Sequence, residues 1–129
     1  MFEELTCCYL GPHGERCEDL VQEDGFCYWH DDTQKKTEID LRERLEKRAA
    51  TGRPMVGFSL RNVDLQGVNL VRHGSSKGYQ LLYSDLYRAD LRNAHLFNMD
   101  FTGTSLMKAK LSEANLNCST LLETNLLGV

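Results

Sequence analysis

Large apolar residues recur at every fifth position along the C-terminal half of the chain. Such a period fits neither regular element, because five residues turn a helical side chain by roughly 140° and leave successive strand side chains on alternate faces. The residues can share one core only if the chain turns by a fixed angle at each repeat, which predicts a solenoid. The predicted core centres are Leu60, Leu65, Leu70, Leu81, Leu86, Leu91, Leu96, Phe101, Leu106, Leu111, Leu116, Leu121 and Leu126.

The residues just before each centre form a motif of their own. Segments such as Ala89-Asp90-Leu91 and Ala114-Asn115-Leu116 closely resemble the A(D/N)LXX pattern of the pentapeptide-repeat family. That resemblance implies a mainly β fold, a right-handed quadrilateral β-helix with four repeats, or about 20 residues, per coil. It also implies that the centre and the residue two positions before it point inward.

Departures from the motif mark special places in the array. Phe58 and Tyr79 begin their runs, which predicts that they cap or plug the core, and Met99 predicts a local bulge. The eleven-residue step from Leu70 to Leu81 is interpreted as two repeats plus an insertion. The Gly- and Ser-rich residues 72–78 predict a protruding loop.

Outward residues that follow every fourth centre are predicted to stack in columns. One column is Gln66, Tyr87, Met107 and Leu127, and a neighbouring one is Leu82, Thr102 and Leu122. Because stacked coils lie about 4.8 Å apart, apolar members form a stripe of the kind that marks contact surfaces. Cover by the N-terminal part of the chain, or no role, stay open as alternatives. The predicted interaction surface is Tyr87, Met107, Leu127, Leu82, Leu122 and Phe97.

Four of the five cysteines fall within the first 27 residues. Cys27 and His30 have the C-x-x-H spacing that places two metal ligands on one turn, and Cys17 with one of Cys7 or Cys8 completes a Cys₃His set. The predicted ligands are Cys8, Cys17, Cys27 and His30, with His13 as a possible substitute. The segment resembles small bacterial zinc knuckles, which implies structural zinc. Plain buried thiols, or a thiol–base pair of Cys27 and His30, are the alternatives.

A helix is predicted to connect the two regions. Residues Asp31-Asp32-Thr33 offer an N-cap, and Gly52 with Pro54 ends the helix. An apolar face of Leu41, Leu45 and Ala49 predicts packing on the first coil as a cap. The predicted organisation is a zinc-knuckle-like module at 1–31, the helix at 32–54 and the solenoid at 55–129.

Charge and hydropathy narrow the function. The net charge of −4 divides into −5 over residues 1–54 and +1 over residues 55–129, so direct nucleic-acid binding is not expected. No apolar run approaches a membrane span, and the acidic N-terminus is no secretory signal. We therefore expect a cytoplasmic protein.

A non-catalytic scaffold or protein-interaction module is the leading prediction, with a protein partner or self-association, including a homodimer. No acid, base and nucleophile converge, and four protein ligands leave zinc no open position. Family resemblance offers an alternative, a DNA-mimicking gyrase inhibitor of the quinolone-resistance type, which needs a strongly negative rod. A second alternative is a regulatory or targeting part of a longer protein, because the sequence stops inside a repeat.

Overall fold

The computed structural model describes residues 5–21, 25–72 and 79–129. Strand β1 (Leu5–Thr6) pairs antiparallel with β2 (Leu20–Val21), and β3 (Met55–Val56) pairs parallel with β4 (Leu81–Leu82). One helix, α1 (Leu41–Ala50), lies between the two sheets in the sequence. No helix of these residues has the length and apolar character to cross a membrane. Residues 73–78 of the predicted loop lie outside the described residues.

Parallel bridges with a regular register define the repeat region. Ser105 pairs with Asp85 on one side and Asn125 on the other, each 20 positions away. The backbone continues the pattern, since the Leu86 N–H donates to the Ser105 carbonyl at 2.8 Å. Each coil therefore contains four repeats, as expected for a β-helix-type fold. The right-handed quadrilateral form stays a prediction.

The register of the first coil corrects the sequence interpretation. Ser59 pairs with Asp85, 26 positions away, so the first turn holds six residues more than later ones. The eleven-residue step from Leu70 to Leu81 therefore contains one repeat and a six-residue insertion. The prediction of two repeats plus an insertion was wrong. Met55, unrecognised in the sequence, is the centre that pairs with Leu81, and it is buried.

A left-handed residue stands two positions after almost every centre. Gly67 has φ of 69°, and the Val68 N–H donates to the Leu65 carbonyl at 3.1 Å across it. A positive φ at the third residue is the signature of a type II turn. Arg88 and Asn93 adopt the same conformation at φ of 57° and 61°, at about 1–2 kcal/mol each for residues with a Cβ. These turns bend the chain so that each centre points inward.

Burial of the centres is complete in the first coils and falls in the last. Leu111 and Leu116 are half-buried, while Leu121 and Leu126 are 37% and 42% exposed. The prediction that every centre is buried is therefore wrong for Leu121 and Leu126 of the final coil. The fully enclosed centres, each at most 2% exposed, are Leu60, Leu65, Leu70, Leu81, Leu86, Leu91, Leu96, Phe101 and Leu106.

Two of the irregular positions behave differently from each other. Phe58 is completely buried and stacks on Trp29 at 5.0 Å between ring centroids, so it plugs the first coil as predicted. Met99 is buried without a bulge, because the 20-residue register continues through His95 and Asp100 on either side. The flexible Met side chain fits where a small residue is usual.

Helix α1 begins later than the sequence suggested. Asp31 caps a local turn instead, where its Oδ1 accepts the Thr33 N–H at 2.9 Å. The Lys36 ammonium donates to the Asp31 carbonyl at 2.9 Å and keeps this segment irregular. The buried face of Leu41, Leu45 and Ala49 is as predicted, and it joins the core shared with the coils. An Arg42 hydrogen bond to the Gln66 carbonyl at 3.3 Å ties the helix to the first coil.

Candidate metal centre

The β1–β2 pair brings two cysteines together. Cys7 follows β1 directly, and its N–H donates to the Asp19 carbonyl at 2.9 Å. A tight turn between the strands is closed by the Gly11 N–H, which donates to the Glu15 carbonyl at 2.7 Å. Cys17 lies three residues before β2, and its Sγ accepts the Asp19 N–H at 3.5 Å. The hairpin thus places the sulfur atoms of Cys7 and Cys17 on the same side, next to the Asp19 backbone.

Cys27 and His30 come from a single turn, as their spacing predicted. The Cys27 carbonyl accepts the N–H groups of His30 and Asp31 at 3.1 and 3.0 Å. Both side chains are buried. Trp29, between them, packs against Phe58 of the first coil. The turn therefore presents two ligands toward the hairpin and an aromatic ring toward the coils.

The four donor atoms lie close enough together to hold one metal ion. The donors of Cys7, Cys17, Cys27 and His30 all lie within 4.8 Å of one another. The Cys17 and Cys27 sulfurs are 3.8 Å apart, and His30 Nδ1 lies 3.4 Å from the Cys7 sulfur and 3.2 Å from the Cys27 sulfur. Ordinary zinc bond lengths place two sulfurs about 3.8 Å apart and a sulfur and nitrogen about 3.6 Å apart. The residues present could therefore hold a metal ion.

The structure places Cys7 in this cluster and leaves Cys8 exposed. The Cys27 N–H donates to the Cys7 sulfur at 3.2 Å. This corrects the preference for Cys8. His13, the possible substitute, lies elsewhere, with its ring 5.5 Å from that of Tyr83.

Contacts beyond the donors join the cluster to the first coil. His30 Nε2 lies 2.6 Å from the Val56 carbonyl of β3. With Nδ1 directed at the sulfurs, Nε2 carries the proton and donates it, which is the usual outer partner of a ligating histidine. The Tyr9 ring stacks on the His30 ring at 4.2 Å, and the Trp29 carbonyl accepts the Ser59 N–H at 2.7 Å. The cluster therefore packs directly against the first coil.

Burial controls the protonation of the donors. It raises the pKa of the Cys17 and Cys27 thiols and lowers the pKa of His30. Without a cation the Cys17 and Cys27 thiols therefore stay protonated and the His30 imidazole stays neutral, so a bound metal ion must displace thiol protons. A buried thiol with a raised pKa makes a poor nucleophile, so this environment does not favour Cys27 and His30 as a thiol–base pair.

Asp19 links the hairpin to helix α1. Its carboxylate accepts a hydrogen bond from Arg48 at 2.7 Å and pairs with Arg53. Burial alone would raise the pKa of Asp19, but the two guanidinium groups outweigh burial and hold the pKa below its ordinary value. Because the Asp19 backbone also contacts Cys7 and Cys17, the ion pair connects the helix to the cluster.

The predicted interaction surface lies on the outward columns of the coils. Tyr87, Met107 and Leu127 stack as expected, since Arg88 and Lys108 donate to the carbonyls of Met107 and Leu127. The Leu82 and Leu122 column also keeps its register through Thr102. Leu122, Leu127 and Phe97 are exposed, whereas Tyr87, Met107 and Leu82 are half-buried.

Arg61 heads the first column, in the position that the sequence interpretation gave to Gln66. The Asn62 N–H donates to the Tyr87 carbonyl at 2.8 Å, which sets Arg61 beside Tyr87. The Arg61 and Arg88 guanidinium carbons lie 4.7 and 5.4 Å from the Tyr87 ring centroid. Arg61 also contacts the Asp85 carboxylate at 3.3 Å. The column therefore runs from a cationic–aromatic start to an apolar end.

Sequence reasoning missed Tyr9, Asp19 and Arg48, and it preferred Cys8 to Cys7. One signal could have corrected that preference. In an extended segment, Cys7 and Tyr9 share a face, so an inward aromatic at position 9 selects Cys7 over its neighbour. No local pattern announces the pairing of Asp19 with Arg48, which are 29 positions apart.

Comparisons with known proteins bear on the repeat region. The family model described as Pentapeptide repeats matches residues 84–128 in eight copies. A crystal structure of a pentapeptide repeat protein from Nostoc Pcc 7120 is 26% identical and covers 69% of this chain and 78% of that chain, with a TM-score of 0.25. No curated protein matches the chain. The predicted pentapeptide repeats are thus confirmed at residues 84–128, and the cysteine segment lies outside the family match.

Proposed function

We propose that this chain is a protein-interaction scaffold whose repeat region is capped at its first coil by a structural zinc centre. The observation that carries the proposal is the position of His30. Its Nδ1 belongs to the Cys₃His cluster, while its Nε2 lies 2.6 Å from the Val56 carbonyl of the first coil. A metal ion that fixes this ring also fixes the contact between the module and the coils.

The chemistry of the donor set supports zinc and a structural role. Three cysteines and one histidine form a closed tetrahedral set, typical of structural zinc, and leave no ligand position for a substrate. A segment of about 25 residues has too small a core to fold alone, so metal binding supplies folding free energy. We assign Cys7, Cys17, Cys27 and His30 as the ligands.

Metal analysis of the purified full chain tests this part. We expect one zinc per chain, and a cobalt-substituted sample with the absorption of tetrahedral thiolate coordination. Cys17→Ser should lower the zinc content severalfold, whereas Cys8→Ser, the matched change at an exposed neighbour, should leave it unchanged. Equal loss in both variants, or a metal-free wild type, would remove the zinc centre from the proposal.

The column of Arg61, Tyr87, Met107 and Leu127 is the proposed recognition surface. Its cationic start and apolar end favour a protein partner with an apolar patch beside acidic side chains. The outward side chains Arg61, Arg88, Arg92, Lys108 and Lys110 argue against an acidic DNA mimic, since such a rod would be strongly negative.

The recognition surface is tested by affinity capture with the full chain. Tyr87→Glu/Met107→Glu should abolish capture of a specific partner, while Ser112→Glu/Asn117→Glu, on exposed positions of other columns, should not. Size-exclusion chromatography of the same proteins distinguishes a second copy from a different partner. Identical captured proteins from all variants would exclude the column.

A further inference from the structure

The three sulfur donors of the cluster differ in exposure. Cys7 and Cys27 are each 6% exposed, whereas Cys17 is only half-buried. Cys17 and His30 also line a cavity of about 380 Å³ that opens to solvent. A small polar molecule can therefore reach the Cys17 sulfur without unfolding the module.

Charged side chains of both signs line the cavity that reaches Cys17. Arg16, Arg48 and Arg53 line the cavity, together with the carboxylates of Glu15 and Glu18. A cysteine that ligates a metal ion is deprotonated, and the thiolate is the form of sulfur that reacts with oxidants. The Asp19 N–H, 3.5 Å from the Cys17 sulfur, adds a further donor.

A second sulfur is in place to complete an oxidation. The Cys27 sulfur lies 3.8 Å from that of Cys17, and a disulfide requires about 2.05 Å. The two atoms thus need to approach by less than two ångströms. We infer that Cys17 is an oxidation site, at which hydrogen peroxide links Cys17 to Cys27 and so opens the zinc centre. This inference rests on the proposed function, because it starts from the zinc-loaded chain.

The steps balance without any further reagent. The Cys17 thiolate attacks one peroxide oxygen, so that a sulfur–oxygen bond forms, the oxygen–oxygen bond breaks and hydroxide leaves. The Cys27 thiolate then attacks the Cys17 sulfur, the disulfide forms and a second hydroxide leaves. The two thiolates lose two electrons, which peroxide gains, and both hydroxides take up protons to become water. Cys7 and His30 remain as donors, too few for structural zinc.

The experiment uses the full zinc-loaded chain with the exposed thiols removed by Cys8→Ser/Cys118→Ser. Zinc per chain is measured first, then hydrogen peroxide is added in the presence of a zinc-binding dye. We expect one zinc released for each Cys17–Cys27 disulfide, identified by the loss of two hydrogens in the linked peptides. Dithiothreitol and added zinc should restore the starting state.

A Cys17→His variant separates reactivity from metal binding, because it keeps four donors but removes the accessible sulfur. It should hold zinc and release it at least tenfold more slowly. A zinc-loaded parent that keeps its zinc under excess peroxide, or that forms its disulfide through Cys7, overturns the inference and leaves the proposed function intact. A parent that carries no zinc before peroxide is added overturns the proposed function instead.

Discussion

Gly57 and Gly67 offer a matched test of how the N-terminal module sits on the first coil. Both residues occupy the same turn position with the same φ of 69°. A Cβ at Gly57 would overlap the Tyr9 ring, whereas a Cβ at Gly67 would meet the Arg42 guanidinium at 3.5 Å, an ordinary contact. Replacement by alanine therefore imposes equal backbone strain and an unequal contact.

The expected losses of unfolding free energy follow from these contacts. A left-handed alanine costs about 1–2 kcal/mol, partly offset by about 0.4–1 kcal/mol from the stiffer unfolded chain, so Gly67→Ala should cost about 1 kcal/mol. Gly57→Ala adds displacement of Tyr9 from the His30 ring, on which it stacks at 4.2 Å. Aromatic stacking contributes about 0.5–1.5 kcal/mol, so the total should be about 2 kcal/mol.

Urea unfolding of the zinc-loaded proteins measures both losses, by far-ultraviolet circular dichroism and by the fluorescence of Trp29, the chain's one tryptophan. Tyr9→Ala in each background completes a double-mutant cycle. The cycle should show coupling between positions 9 and 57 and none between 9 and 67. Equal losses for the two glycine variants, or a cycle without coupling, would refute the docking of Tyr9 on this turn.

Three further outcomes are expected. Leu106→Ala should cost about 2–5 kcal/mol, as for enclosed leucines, whereas Leu126→Ala, at a half-open position, should cost less than about 1 kcal/mol; thermal unfolding compares the pair. Thr104→Val should lower the free energy of unfolding by about 2 kcal/mol, because the buried Thr104 hydroxyl donates to the Leu81 carbonyl at 2.5 Å. Urea unfolding measures this loss, and Ser119→Ala is measured with it for comparison. Chelation of zinc should alter Trp29 fluorescence before the circular dichroism of the coils, and simultaneous loss would contradict a separate cap.

The period of five was enough to predict the repeat, because it reports a geometric requirement that no helix or strand meets. The register between the first coil and the second was not predictable in the same way. Hydrogen bonds between coils set that register, whereas the eleven-residue step from Leu70 to Leu81 fits two repeats plus one residue as well as one repeat plus six. Gln66 was misplaced for this reason, whereas Met55 lies five positions before Leu60 and continued the period unrecognised.

The four-residue cluster of Cys7, Cys17, Cys27 and His30 was also predictable only in part. The C-x-x-H spacing predicted Cys27 and His30, since one turn suffices to bring them together. The choice between Cys7 and Cys8 depended on which face of the extended segment points inward, and Tyr9, on the same face as Cys7, was the available signal. The helix start at Leu41 depended in turn on hydrogen bonds of Asp31 and Lys36 that compete with the helix.

Trp29 and His30 pair backbone groups at the edge of the first coil. The first coil would otherwise present unpaired backbone groups at a sheet edge, which invites pairing with other chains. Trp29 and His30 satisfy two of them, at the Ser59 N–H and the Val56 carbonyl. If zinc holds His30, its binding free energy adds to the stability of this edge by mass action, about 2.7 kcal/mol at a free concentration of one hundred times Kd. The proposed centre thus makes protection of the edge depend on zinc.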